Sequence, residues 1–480
     1  TISLSGGNLF VETQADDSKA LGCDSVLCIA GGTIDLTLGG KASKGLKSDQ
    51  AMNLSGGNIT IQSTGGVLLE ASGSGYDPSY STAIKCDSDI TIDGAQISIK
   101  LSGEAGRGIS SDQNLIISGG SIQITSAGNG AKYTNTNGAS DSYHSTCLTA
   151  DGNIEINGGN VTTLSSGTAG RGITSGGSLV IGHSDQSPIL SVTTSGSKIT
   201  VSSGSNSGGW GGPGGGPGED NGVYDESKAI KCDGAVSINN GQISISSADD
   251  GIKSLASVRI TKGSLSITRA FEGIESPSIT VQSGRVAITA SDDGFNATWG
   301  NGGEANDGSI LNLNGGEVCV NVSDGDGLDS NGNISMTGGT VVVHGPQSNP
   351  EVGMDYNGTC SVSGGVLIIS GTNSNMTQAP GTSSLQCCIK ATTSTRVAAN
   401  TLFNLQDANG VNLVSFQPVR NYYSVIYSSP KLEKGASYSI YTGGTISGSG
   451  NNGYYSGGSY SGGTKKKTFT LSGTVTNVTF

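Results

Sequence analysis

Ile2-Ser3-Leu4-Ser5-Gly6-Gly7-Asn8-Leu9 is the phrase whose reading decides the fold: an alternating strand, a Gly-Gly turn, and a second alternating strand. It recurs as Leu54-Ser55-Gly56-Gly57-Asn58-Ile59, Ile116-Ile117-Ser118-Gly119-Gly120-Ser121-Ile122 and Ile154-Glu155-Ile156-Asn157-Gly158-Gly159. Later copies are Leu313-Asn314-Gly315-Gly316, Met336-Thr337-Gly338-Gly339 and Val362-Ser363-Gly364-Gly365. From Gly6 to Gly31 to Gly56 the step is 25 residues each time, and from Asn240 onward the steps are 22, 21, 32, 23 and 26. Apolar residues at every second position mark strands with one inward face. A unit this short cannot bury that face alone, so successive units must stack.

A second phrase fills the gaps between the turns. It reads Thr82-Ala83-Ile84-Lys85-Cys86, Arg107-Gly108-Ile109-Ser110-Ser111, Lys228-Ala229-Ile230-Lys231-Cys232 and Asp326-Gly327-Leu328-Asp329-Ser330, with twelve copies in all. Three short strands per unit and steps in the low twenties fit one coil of a parallel β-helix. The expected fold is all-β: a single-stranded parallel β-helix of about twelve coils over 1–384, right-handed by the general preference of parallel crossovers, with a C-terminal antiparallel β cap over 385–480. A β-sandwich pairs its hairpins antiparallel and has no need of one phrase repeated in one phase.

Composition agrees. Glycine is 80 of 480 residues and hydrophobic residues are 33 %, too few for a conventional globule of this length. The glycines do not recur every third residue, which excludes collagen. No run of 18 apolar residues is present, so no membrane-spanning helix is expected. The net charge of −13 argues against nucleic acid as a partner.

Stacking also predicts the fate of the nine cysteines. Cys23, Ser48 and Cys86 share one phase in successive coils, which puts the two thiols two rungs or about 9.6 Å apart, too far for a disulfide. Cys23, Cys86 and Cys232 read as small buried thiols. Loop insertions are expected near 127–145, 203–220 and 299–308. The tyrosine-rich segment after 385 reads as antiparallel strands covering the last rung, with 447–463 as a long hairpin tip.

The chemistry lies in the first position of the second phrase. It is Lys19, Lys44, Thr82, Arg107, Thr146, Arg171 and Lys228 early in the chain, and Asp250, Glu272, Asp293 and Asp326 later. Carboxylates stacked in register repel one another unless a cation intervenes. Calcium takes carboxylate and carbonyl oxygens in flexible geometry, so it is the expected cofactor. The expected ligands are Asp249, Asp250, Glu272, Glu275, Asp292, Asp293, Asn296, Asp324, Asp326 and Asp329. Lys231 and Lys253 on the outward row, with Trp210 and Trp299 in loops, are candidate carbohydrate contacts. His144, His183 and His344 fall in no catalytic spacing, and no catalytic residue is assigned.

The run Ala248-Asp249-Asp250-Gly251-Ile252, Phe271-Glu272-Gly273-Ile274-Glu275, Ser291-Asp292-Asp293-Gly294-Phe295-Asn296 and Asp324-Gly325-Asp326-Gly327-Leu328-Asp329-Ser330 resembles a family of bacterial carbohydrate-binding proteins. So do Met376-Thr377-Gln378-Ala379-Pro380 and Ser384-Leu385-Gln386. The resemblance is strongest over 228–445. It implies a right-handed parallel β-helix similar to pectate lyases, calcium in the coil turns, and non-catalytic binding of cellulose-like or pectin-like polysaccharide. The first half departs from it, with Lys or Arg at the acidic position. The expected protein is an extracellular or cell-surface, adhesin-like polysaccharide binder, with any signal or anchor outside this sequence. A calcium-dependent pectate-type lyase and a structural adhesin for a protein partner are the alternatives.

Overall fold

The computed structural model describes residues 1–183, 185–202, 223–300 and 305–480, and none of these is helical. Trp210 and the 203–220 insertion lie outside the described residues. The chain divides into two compact units, Thr1–Val258 with Lys262–Ala270, and Arg259–Thr261 with Phe271–Phe480.

The first unit is a stack of parallel coils with three walls; two of the walls are spanned by one continuous strand in the coils of Val26–Leu38 and Ala51–Ser63 and by separate strands in the later coils. On one wall Leu21, Leu46, Ile84, Ile109, Leu148, Ile173, Ile230 and Ile252 sit in register from coil to coil. On a second wall the column runs Leu27, Met52, Ile90, Leu115, Ile154, Leu179, Val236. On the third it runs Ile34, Ile59, Ile97, Ile122, Val161, Leu190, Ile243, Leu265. All but Leu21 are buried. Period-2 alternation thus becomes columns because the inward residues meet in phase; the register shifts, as at Ile29–Thr33 against the next coil, fall between the columns and do not turn the apolar set outward.

The Gly-Gly turn is demanded by the same stacking. The second glycine is left-handed in copy after copy, with φ of 92° at Gly32, 86° at Gly57 and 85° at Gly120. A Cβ on Gly32 would lie 2.7 Å from the carbonyl oxygen of Gly7 one coil away. Only glycine meets both conditions.

The cysteines follow the ladder. Cys23 pairs with Ser48 and Ser48 with Cys86, and all nine cysteines are free. Cys23, Cys86 and Cys232 are buried, as expected.

The predicted loop over 127–145 is in fact a hairpin, with Ala131–Thr134 antiparallel to Ser140–Tyr143. Tyr133 and Tyr143 pack across it with ring centroids 5.7 Å apart, so aromatic cross-strand packing orders what composition alone marks as turn-rich. A second hairpin joins Leu68–Ser72 to Gly75–Ser79.

The second unit continues the parallel pattern with its own columns. Ile274, Phe295, Leu328 and Met354 form one. Val286, Val318, Val341 and Leu367 form another. The direction then reverses: Tyr422–Ser428 pairs antiparallel with Val366–Gly371 and with Cys388–Val397. A five-stranded sheet follows, ordered Tyr454–Tyr455, Asn412–Phe416, Phe403–Asp407, Ser437–Thr442, Thr464–Thr470. Tyr422, Tyr427, Phe403 and Phe416 are fully buried in its core. The last parallel rung therefore meets a paired strand rather than an open edge.

Candidate functional site

In the first unit, the charged column at the start of the second phrase is met by the chain's own groups: backbone carbonyls at Lys44, an aromatic ring at Arg107 and carboxylates at Arg171 and Lys228. Lys19 pairs with Lys44, Lys44 with Thr82, Thr82 with Arg107, Arg107 with Thr146, and Thr146 with Arg171. Lys44 Nζ donates to the carbonyls of Ala42 and Tyr80 at 2.8 and 2.6 Å. Burial, reinforced by Lys85, Arg107 and Lys47 and opposed by Asp17, pushes its ammonium down to about 8. The Arg107 guanidinium lies 3.5 Å over the Tyr80 ring. Arg171 Nη2 donates to Asp225 Oδ1 at 2.6 Å, while Ser142 Oγ at 2.9 Å and His144 Nδ1 at 2.7 Å meet Asp225 Oδ2. Burial works to raise Asp225; the hydrogen bonds from His144 and Ser142 and the Arg171 charge outweigh it, so the carboxylate is held well below its ordinary range. Burial, with the Arg171 charge, lowers His144 against the pull of Asp225.

Asp249 and Asp250 belong to this unit. Both accept from the Lys228 ammonium, Asp250 at 2.6 Å, and Glu226 joins them at 2.8 Å. Burial works to lower Lys228, but the three carboxylates prevail and raise it above its ordinary value. Here the chain supplies an ammonium as the counter-ion of the acidic turn.

The outward row is paired likewise. Lys47 sits 2.6 Å from both Asp49 and Asp87, Lys85 is bound to Asp112, and Lys231 lies 3.5 Å from Asp233. Lys253 stacks in register on Lys231. The ion-pair ladder is the arrangement observed for Lys47, Lys85 and Lys231.

In the second unit the acidic rungs accumulate. Glu275 pairs in register with Asn296, Asn296 with Asp329, and Asp329 with Asp355. Asn296 Nδ2 donates to Glu272 Oε1 at 3.2 Å. Its own Oδ1 is buried and accepts no hydrogen bond among the described residues. One oxygen each from Asp326, Asp329 and Asp355 lie within 4.8 Å of one another. Asp326 and Asp355 are buried. The backbone holds them: Asp326 N–H donates to Asp293 Oδ1 at 2.7 Å, and Val352 N–H donates to Asp326 Oδ1 at 2.5 Å.

This crowding changes the acids. Burial first, then the carboxylates of Asp329, Glu351 and Asp355, push Asp326 up to about 9 against the pull of the Val352 N–H. Burial, with Asp329, Asp292 and Asp326, drives Asp293 well above the carboxylate range. Burial and Asp324 raise Asp292.

Two residues further along the same strands runs a polar row. Asn331 Nδ2 donates to Thr298 Oγ1 at 2.9 Å, and Asn357 Nδ2 donates to Asn331 Oδ1 at 3.2 Å. Trp299 follows Thr298; it is 55 % exposed, and its backbone N–H donates to Asp307 at 2.9 Å. An acidic row and a row of hydroxyl and amide side chains thus run side by side on these coils.

Compared with known proteins, the chain matches the family model of carbohydrate-binding domain-containing proteins over residues 1–130 and again over 105–273. The chain belongs to that family. No curated protein and no solved structure matches. In this carbohydrate-binding domain-containing protein the matched residues are essentially the coils of the first unit. The sequence resemblance is strongest over 228–445, so only 228–273 is common to both, and the acidic rungs at 292–355 lie beyond the match. The overlap at 105–130 is natural in a chain written in repeats.

Sequence reasoning missed Asp355 as a partner of Asp326 and Asp329. Its signal was present, because Met354-Asp355 occupies the phase of Leu328-Asp329 in the next copy. It also missed the Asp225 network, whose His144 is 81 residues away and arrives from the 127–145 insertion. No local motif announces that meeting.

Proposed function

We propose that this protein binds polysaccharide outside the cell or at its surface, and that calcium held in the acidic rungs of the second unit takes part. Family membership supports the carbohydrate. The observation that carries the calcium reading is the convergence of Asp326, Asp329 and Asp355 on one point, with the unsatisfied Asn296 Oδ1 in the same stacked row. Three hard carboxylate oxygens and further amide or carbonyl oxygens suit calcium, which takes about 6–8 oxygen ligands. Such an ion relieves the repulsion that raises Asp326 and Asp293. Three protein carboxylates leave coordination positions for sugar hydroxyl or uronate oxygens.

The role of the fold is repetition. Stacked coils repeat a side chain about every 4.8 Å, so Asn296, Asp329 and Asp355 form a row along which an extended chain can lie. The exposed Trp299 indole, three residues after Asn296 in the chain, is a candidate apolar face for a pyranose ring.

The test is a retention assay with the full chain on insoluble cellulose and on immobilised polygalacturonate, in calcium and in EDTA. Retention in calcium that is lost in EDTA supports the reading. Equal retention in both refutes the role of the metal, and no retention on any glycan refutes polysaccharide binding.

A further inference from the structure

Away from the acidic rungs, the second unit has a small cleft that none of the above assigns. It is lined by the strands Glu317–Val322 and Thr340–His344 and by the turn at 449–456. Its volume is about 210 Å³. That is below the ~300–1,000 Å³ typical of drug-sized ligands and suits a single ring.

The walls are amphipathic. Val342 lies at the apolar base, and Tyr454, half-buried, packs against the neighbouring core. Around them stand Glu317, Thr340 and Asn452. Among the described residues, the Tyr454 hydroxyl, the Thr340 hydroxyl and the Asn452 carboxamide make no hydrogen bond, although each is a competent donor and acceptor.

The turn that carries Asn452 and Tyr454 is fixed from several directions. Asn451 Nδ2 donates to Glu317 Oε2 at 3.1 Å. The buried imidazole of His344 accepts from the Val419 N–H on Nδ1 at 3.3 Å, so its Nε2 donates to the Asn452 carbonyl at 3.0 Å. Its ring stacks on Phe416 with centroids 5.2 Å apart. Gly453 has φ +74°, and a Cβ there would lie 2.4 Å from the Gln417 carbonyl oxygen. Binding groups held this way lose little entropy when a ligand arrives.

We propose that this cleft binds one neutral hexose or pentose ring, with the apolar face of the ring on Tyr454 and Val342 and its hydroxyls on Glu317, Asn452 and Thr340. The inference deepens the carbohydrate-binding reading and rests on it, but it places a second contact outside the calcium rungs. Glu317 is the one charged side chain lining the cleft among the described residues. Its Oε2 already accepts from Arg285 Nη2 at 2.7 Å and from Asn451, so Oε1 is the oxygen left to accept from sugar hydroxyls, and a uronate would add a second carboxylate that the single Arg285 charge does not also offset. The site therefore selects neutral sugars and needs no calcium.

The experiment uses the full chain in EDTA with methyl β-glucoside, methyl β-galactoside, methyl α-mannoside, methyl β-xyloside and galacturonate, read by saturation-transfer NMR and calorimetry. The expected result is binding of at least one neutral glycoside with Kd around 1 mM, a typical weak-site affinity of ~4 kcal/mol, and none of galacturonate. Tyr454→Ala and Asn452→Gly each weaken it at least tenfold. The second variant keeps the fold within reach, because Asn452 sits at φ 51°, a conformation glycine adopts freely. Absence of every neutral glycoside, preference for galacturonate, or binding unchanged in Asn452→Gly overturns the proposal. Calcium-dependent retention on polysaccharide by the same sample shows whether the wider reading survives such a failure.

Discussion

Replacing Asp326 by Asn changes one atom in the acidic cluster and has a consequence whose sign is fixed by the structure. In the folded, calcium-free protein Asp326 is raised to about 9 by burial and by Asp329, Glu351 and Asp355. In the unfolded chain an aspartate titrates near ~3.9. A group raised on folding contributes its full stability below the unfolded value, and that contribution is lost as pH rises through the folded one. In EDTA the wild type should therefore lose stability from about pH 4 to about 9. At pH 7 some three pH units have been crossed, so the loss attributable to this group is about 4 kcal/mol. Asn cannot ionise, yet its Oδ1 still accepts the Val352 N–H. Asp326→Asn should thus be the more stable protein in EDTA, by about 4 kcal/mol at pH 7 and by more at pH 8, and its contribution at this position should be flat with pH. Calcium reverses the order, because it binds the ionised carboxylate and stabilises only the protein that has one. The assay is thermal and urea unfolding of both proteins across pH 4–9, in EDTA and in calcium. A variant less stable than wild type in EDTA at pH 8, or one that gains as much from calcium, would falsify the argument.

Three further outcomes follow from the same contacts. Ile109 is fully buried between Ile84 and Leu148, so Ile109→Ala should cost about 2–5 kcal/mol in urea unfolding, and a loss under ~1 would mean the column is not a packed core. Asp225→Asn strands the Arg171 charge and should destabilise the first unit by about 3–5 kcal/mol; because Asp225 is lowered on folding, its stabilisation is present above ~3.9 and fades as pH falls below that, and the variant should lack this acid limb. Lys228→Met removes the ammonium shared by Glu226, Asp249 and Asp250, and should give a protein that is destabilised by about 3–5 kcal/mol in EDTA and partly restored by calcium, as seen in its melting temperature; no response to calcium would show that ammonium and metal are not equivalent here.

Much of the fold is written openly in the chain because stacking turns phase into position. Ile84, Ile109 and Leu148 occupy the same slot of three copies, and they lie in one column. Cys23, Ser48 and Cys86 do the same, which is why their thiols could be read as unpaired. The acidic rungs were legible for the same reason, down to Asp326 and Asp329. What stayed hidden lies in the insertions. The hairpin of Ala131–Thr134 and Ser140–Tyr143 owes its order to Tyr133 against Tyr143, a tertiary contact inside a segment of turn-forming composition. His144 meets Asp225 across 81 residues of sequence, and no period in the sequence encodes that. The pairing of Lys228 with Asp249 and Asp250 was hidden too, because the sequence shows the column's change of sign but not that a lysine one coil away reaches both carboxylates.

The most direct measurement is calcium stoichiometry by elemental analysis and titration calorimetry on the intact chain, beside an Asp329→Ala, Asp355→Ala double variant. Bound calcium in the wild type, with at least one equivalent missing from the variant at unchanged coil content by circular dichroism, is the predicted result. A wild-type protein that takes up no calcium, or a variant that binds as many ions as the parent, contradicts the assignment of metal to the stacked carboxylates.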